Sequence, residues 1–354
     1  MSTDLAPKIE IRDLVDLLGA RAGDVCCKLL PEGRLSHTRF QVGSLAGEPG
    51  QSLSVNLRGM KPGNWHDFAS GERGDILDLI AQVLFRGHKG EAVTWALGYL
   101  GLSDADPDAM RTARREAEAK RRQAAKEAQA QRRRMRAAAW QRWGIEASPE
   151  IRGTAVERYL AGRGIDLDRL GSTGALRYHP ELLSAEDGCF YPAMVAAIVG
   201  PDGRFLACHR TWLEVRTDGR VTKADLKAPK KCLGGCQGGH ISIAKGRAGV
   251  PLNRAPQGDR CILIEGIEDA LTLAMALPEW RIVATISVDG MAGVIMPASV
   301  TTRVLFRDRD TEPAALAGFE RAKLAHMRQC RDVRVAASPG EAKDANAYLM
   351  ETAA

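Results

Sequence analysis

The sequence predicts an α/β fold, α+β over the whole chain, and three features of its C-terminal part carry that prediction. First, Cys261–Ile264 is a short, apolar, β-branched run that ends on Glu265-Gly266, as a strand buried on both faces of a parallel sheet does. Second, Glu268–Leu277 follows with helical spacing of its apolar residues. Third, Arg281–Ser287, Val304–Phe306 and Asp332–Ala336 read as strands and Ala314–Arg328 as a helix. The order strand–helix–strand–strand–helix–strand predicts a mostly parallel sheet flanked by helices. Val304–Phe306 leads to Asp308 and Asp310, which point the same way on an extended segment. At the C-terminal edge of such a sheet they converge with Glu265, where open α/β folds bind ligands. Three hard carboxylates with no local cysteine or histidine suit Mg²⁺ or Mn²⁺ rather than zinc.

An apolar strand, Glu265-Gly266, Asp269 four residues on, a helix and then Asp308-x-Asp310 together resemble the Toprim domain of primases, topoisomerases and some nucleases. The pattern departs from its relatives after the second aspartate, where Thr311-Glu312-Pro313 intervenes and Gly318 lies further on. Gly290-Met291-Ala292-Gly293 resembles the glycine-bearing loop of Toprim relatives. Lys343-Asp344, after the final strand, resembles the Lys-Asp element of primase Toprim domains. The resemblance implies a phosphate contact for Lys343 and a share in metal binding for Asp344, while Asp269, one helical turn after Glu265, joins the metal cluster or merely caps the helix end.

A chain of 354 residues is long enough for two or three domains. Its net charge of +6 permits contact with nucleic acid. There is no apolar run of membrane-spanning length and no charged-then-apolar leader, so a cytoplasmic protein without membrane partners is expected. The eight cysteines form no disulfide framework.

Residues 1–102 read as a small β-rich module. Ile9–Leu18 has helical spacing that Gly19 and Gly23 break, and Phe40–Val42 and Ser52–Leu57 read as strands about a Gly/Pro turn. Asp75 sits where an acid suits a helix start, before the amphipathic Ile76–Phe85. Trp65, Phe68, Gly74, Asp75 and Ile76–Ile80 resemble the N-terminal zinc ribbon of primases, but the paired cysteine and histidine ligands are missing. Cys26 and Cys27 are adjacent and His37 stands alone, so a metal-free, degenerate ribbon is expected. Trp65 and Phe68 suit stacking on bases of a single strand, and equally the core of a small sheet.

Residues 103–147 read as a basic helical linker: Ala105–Ala139 lacks an apolar stripe, and Arg111–Arg142 holds twelve Lys/Arg against three Glu. It suits a solvated spacer and a rod that follows phosphates equally. Trp140 and Trp143 dock its end onto the next domain. In residues 148–250, Tyr191–Val199, the turn Pro201-Asp202-Gly203 and Phe205–Leu213 predict a hairpin. With Lys227-Ala228-Pro229-Lys230-Lys231 and a glycine-rich loop, this region resembles the cleft wall before Toprim in phage- and plasmid-type primases. Arg210, Lys227, Lys230 and Lys231 are the candidate partners of template backbone and triphosphate, or else ordinary basic surface residues. Cys232, Cys236 and His240 lack the usual spacing and a fourth ligand, so zinc is not expected there.

A Toprim domain over 251–354 after these segments implies a DNA primase of mobile-element type, making RNA primers on single-stranded DNA from nucleoside triphosphates. Glu265, Asp308 and Asp310 are its expected catalytic residues, Glu265 with an acid/base role and the aspartates as metal ligands. No G-x-x-x-x-G-K-[ST] motif is present, so a separate helicase is the implied partner. A metal-dependent Toprim nuclease and a non-catalytic DNA-binding accessory remain the alternatives.

Overall fold

The computed structural model describes residues 10–59, 61–102, 107–171 and 174–353; Ile9 and residues 103–106, on which the first predicted helix and the linker begin, lie outside them. The chain divides into two compact units, Met1–Gln131 and Arg132–Ala354.

In the first unit, α1 (Ile11–Gly19) and α2 (Ala22–Leu29) bury Leu14, Leu18, Val25 and Cys26 against one core. The sequence predicts a break at Gly23, yet this glycine lies in the first turn of α2. The break itself falls at Gly19, where α1 ends, and α2 is a new helix that begins at Ala22. Next come β1 (Arg34–Leu35), β2 (Arg39–Val42), β3 (Leu53–Asn56), β4 (Trp65–Asp67) and β5 (Arg73–Gly74), an antiparallel meander in chain order. The helix α3 (Ile76–Phe85) starts on a capping box: Leu77 N and Asp78 N donate to the Asp75 side chain, and Asp75 N donates to Asp78. It packs with α4 (Lys89–Tyr99). Buried Asp67 binds the β4–β5 turn together by hydrogen bonds: Ser52 Oγ (2.7 Å), Ala69 N (2.9 Å) and Ser70 Oγ (3.1 Å) all donate to it. The long α5 (Pro107–Trp140) is solvated along most of its described length, and Arg121 pairs with both Asp13 and Asp16 on α1.

The second unit opens with the indole pair at the end of α5. Trp140 and Trp143 pack on Phe205 at 5.2 and 5.6 Å, Trp143 Nε1 donates to Ala175 O, and the Arg177 guanidinium stacks on Trp143 at 4.1 Å. The linker end is thereby docked, as expected. Short helices α6 (Ala155–Ala161) and α7 (Leu167–Leu170) start on Thr154 and Asp166 caps. Then β6 (Leu176–Leu183), β7 (Phe190–Val199), β8 (Phe205–Val215), β9 (Val221–Lys223) and β10 (Lys230–Gly234) form an antiparallel sheet in the order β10-β8-β7-β6, with β9 paired to β8. The predicted hairpin is β7–β8, and Gly203 takes a φ of +78° in its turn.

The third sheet runs β11-β13-β12-β14-β15, from β11 (Ile241–Lys245), β12 (Asp259–Ile264), β13 (Arg281–Ala284), β14 (Val300–Phe306) and β15 (Asp332–Ala336). All neighbours are parallel except the edge strand β11. It carries α8 (Ile267–Ala276), α9 (Val288–Gly293), α10 (Pro313–Met327) and α11 (Ala345–Ala353). The segment read as a glycine-bearing loop is α9, because Ser287 Oγ accepts from Gly290 N and caps a helical turn. One core joins the two sheets: Met194, Ile198 and Leu213 pack with Ile241, Ile262, Ile264 and Leu271. Among the described residues no helix is long and apolar enough to cross a membrane.

Candidate active site

Each acidic residue owes its position to the end of an element. Glu265 follows β12, and Gly266 begins α8 in extended conformation. A Cβ on Gly266 would lie 2.1 Å from Asp269 Oδ2, so the glycine is what lets Asp269 fold back beside Glu265. Ile286 sits alongside with φ +72°, an uncommon conformation for a β-branched residue, and donates its N–H to Glu265 O at 3.0 Å. Strand β14 ends at Phe306, so Asp308 and Asp310 occupy the loop after it rather than the strand itself. Asp344 accepts from Ala347 N at 2.7 Å and starts α11, while Asp269 Oδ1 accepts from Asn346 N at 2.9 Å.

Glu265, Asp269, Asp308 and Asp344 share a cleft of about 410 Å³ with Lys230, Lys231 and Lys343. Glu265 and Asp308 also line an adjoining cavity of about 160 Å³, which contains Asp310. Lys343 reaches Asp310 at 3.7 Å. Burial, reinforced by Glu265 and Asp344, pushes Asp308 up to about 6. Burial pushes Asp269 up to about 7, with the Asn346 N–H opposing it and Asp344 and Asp308 adding to it. Glu265 is raised by burial and then by Asp310. Asp308 Oδ1 is buried with no hydrogen-bond partner. Among the described residues no three side chains converge closely enough to enclose a metal ion as they stand. An all-oxygen donor set with an orphaned carboxylate oxygen and mutual repulsion nonetheless fits a hard divalent cation.

The opposite wall comes from the antiparallel sheet. Lys230 and Lys231 project from β10, and Lys231 also pairs with Glu186 at 3.5 Å. Arg210 takes a different place. It lies among none of the cleft-lining residues: its guanidinium rests over Trp212 at 4.9 Å and donates to Cys232 O. Alternation along β8 puts His209 in the cleft instead. Lys227 is exposed and lies outside the lining; its backbone N–H donates to Glu186. Trp65 is buried in the core of the first unit, with Nε1 donating to Asp75 O, so neither ring face is open for stacking. Phe68 is 69% exposed and meets His66 edge-on at 4.4 Å.

Sequence reasoning missed Arg163, His209, Lys223 and Glu268, which also line the cleft. Glu268 is buried, accepting from Tyr159 OH at 2.6 Å and pairing with Lys223 at 3.0 Å. Burial alone raises its pKa, but Lys223 and the Tyr159 hydroxyl outweigh that and hold it at about 2. Glu268 precedes Asp269 in the sequence, and its amphipathic helix start gave no sign of a partner more than a hundred residues away.

Residues 260–354 match the model of the Toprim domain, and residues 131–243 match a domain of unknown function (DUF7146). No curated protein matches the chain by sequence. Among solved structures the chain is similar to the primase fragment of the bacteriophage T7 primase-helicase, 18% identical over 55% of this chain and 69% of that one, with a TM-score of 0.36. The zinc-binding and RNA polymerase domains of the Aquifex aeolicus primase are 15% identical over 96% of this chain and 82% of that one, with a TM-score of 0.36. A DNA primase domain from Pseudomonas aeruginosa is 18% identical over 61% and 73%, with a TM-score of 0.39.

Proposed function

We propose that this chain, whose residues 260–354 match the Toprim domain, makes short RNA primers on single-stranded DNA by template-directed nucleotidyl transfer. The observation that supports this reading is the two-walled cleft, carboxylates from the parallel sheet on one side and lysines from the antiparallel sheet on the other. Carboxylates alone repel a polyphosphate, and lysines alone bind one without activating it.

In this reading Lys230, Lys231, Lys343, Lys223 and Arg163 bind and orient the triphosphate. Glu265, Asp308 and Asp310 hold Mg²⁺ or Mn²⁺, with Asp269 and Asp344 supporting them. The divalent cation, when bound, neutralises charge on the transferring phosphoryl group and favours ionisation of the attacking 3′ hydroxyl. We assign the proton-accepting role to Glu265, which follows β12 and lines both the cleft and the adjoining cavity. The template partner is single-stranded DNA, tracked in part by the basic α5, and duplex opening falls to a separate helicase.

The test is incorporation of labelled nucleoside triphosphates on single-stranded DNA with Mg²⁺ or Mn²⁺, for wild type and Asp308→Ala. Short products that disappear in the variant support the reading. Asp308-dependent shortening of the template instead would make the protein a nuclease.

A further inference from the structure

His209 is a group in the cleft whose chemistry differs from its neighbours. It stands on β8 directly across from Cys232, with Lys230 paired to Thr211 two residues along. Only 6% of it is exposed. Nδ1 is buried without a hydrogen-bond partner and the residue lines the cleft, so Nε2 is the ring nitrogen we assign to a ligand there. Burial first, then Lys230, push its pKa down to about 4, so it is a neutral imidazole at physiological pH.

Around it, Arg163, Lys223, Lys230, Lys231 and Lys343 already meet the need for cations. A neutral nitrogen adds little to phosphate binding beside them. It suits an uncharged polar part of the ligand, and a nucleotide offers two: the base edge and the sugar hydroxyls. A base edge carries several donors and acceptors and takes at least two groups to read. One recessed nitrogen meets one atom. A hydroxyl both donates and accepts, so it satisfies Nε2 in either tautomer. The sugar hydroxyls also lie close to the phosphates that the lysines and acids would hold, whereas the base extends away from them.

We propose that His209 Nε2 hydrogen-bonds a ribose hydroxyl of a nucleotide held in the cleft, making His209 a determinant of sugar specificity. This rests on the nucleotide-binding reading above and names the part of the substrate that the antiparallel wall recognises. With a nucleotide seated against it, a ring nitrogen that meets a hydroxyl is left unpaired by an analogue lacking that hydroxyl, which discriminates strongly against the analogue.

The experiment is equilibrium binding of ribo-, 2′-deoxy- and 3′-deoxynucleoside triphosphates, with Mg²⁺, to wild type, His209→Leu and His209→Gln. Thermal unfolding of each confirms the fold. Wild type is expected to bind one of the deoxy analogues at least about tenfold more weakly than the ribonucleotide. His209→Leu is expected to bind all three within about twofold of one another, and His209→Gln, whose amide nitrogen reaches the same place, to recover part of the preference. Unchanged discrimination in His209→Leu, or equal binding of all three by wild type, overturns the assignment and leaves nucleotide binding standing. Failure of wild type to bind any of the triphosphates overturns the nucleotide reading, and this inference with it.

Discussion

At the scale of single residues, the acidic wall ties stability to pH and, in the proposed reading, to a divalent cation as well. Asp308 and Asp269 have folded-state pKa values of about 6 and about 7, above the ordinary aspartate value. A raised pKa means that the folded state binds protons more tightly than the unfolded one, so these residues favour folding most at low pH. Their contribution is lost as pH rises through 6 to 7. Chemical denaturation without divalent cation should therefore show stability falling from about pH 4 to about pH 7, and Asp308→Asn should flatten that slope. Saturating Mg²⁺ at pH 8 should restore stability, by about 2.7 kcal/mol at a hundred times its Kd, and do so much less in Asp308→Asn. Equal Mg²⁺ responses in the two proteins would remove Asp308 from the metal site. Glu268 behaves oppositely. Held at about 2, it contributes fully above its unfolded pKa of 4.5 and loses that contribution as pH falls from there to about 2. Glu268→Ala strands Lys223 and Tyr159 in the cleft wall and should cost about 3 kcal/mol in denaturant unfolding.

At the scale of elements, the sequence was most legible where a local rule and the tertiary context agree. Asp75 before Ile76–Phe85 marked α3 because acid, dipole and apolar spacing all pointed there. The β7–β8 hairpin followed from Pro201-Asp202-Gly203 in the same way. The break after Ile11–Gly19 was legible from Gly19, whereas Gly23 falls in the first turn of the next helix. Arg210 departs from expectation on β8. Side-chain alternation was readable, but which face meets the acids depends on how two sheets share a core, and adjacent residues hold no record of that. The first unit tests a different point. Asp67 draws its turn together with hydrogen bonds from Ser52, Ala69 and Ser70. Asp67→Ala should destabilise that unit by about 2 kcal/mol, while EDTA leaves its melting temperature unchanged. A large EDTA effect would mean that metal, and not this carboxylate, holds the module. On α5, replacing exposed Arg133, Arg134 and Arg136 with glutamine should weaken binding to single strands of any sequence. The slope of log K against log salt should shrink by about 0.7 for each phosphate that the helix no longer neutralises. An unchanged slope would make the helix a spacer only.

At the scale of the whole molecule, the acid cluster was legible because it is local. Glu265-Gly266 with Asp269, and Asp308 with Asp310, lie at strand ends that the apolar runs announce. The cationic wall was half legible, as Lys230 and Lys231 but not Lys223, Arg163 or His209, because those come from three elements that only the shared core brings together. In the proposed reading both walls serve one reaction. It is tested most directly by measuring Mg²⁺-dependent primer synthesis on single-stranded DNA with wild type, Asp308→Ala and Lys230→Ala, each confirmed folded by its melting temperature. Wild type should yield short RNA products and either variant at least about a hundredfold less, as expected when a transition-state interaction worth roughly 3 kcal/mol is removed. Wild-type rates from either variant, or no synthesis by wild type at all, would contradict that reading.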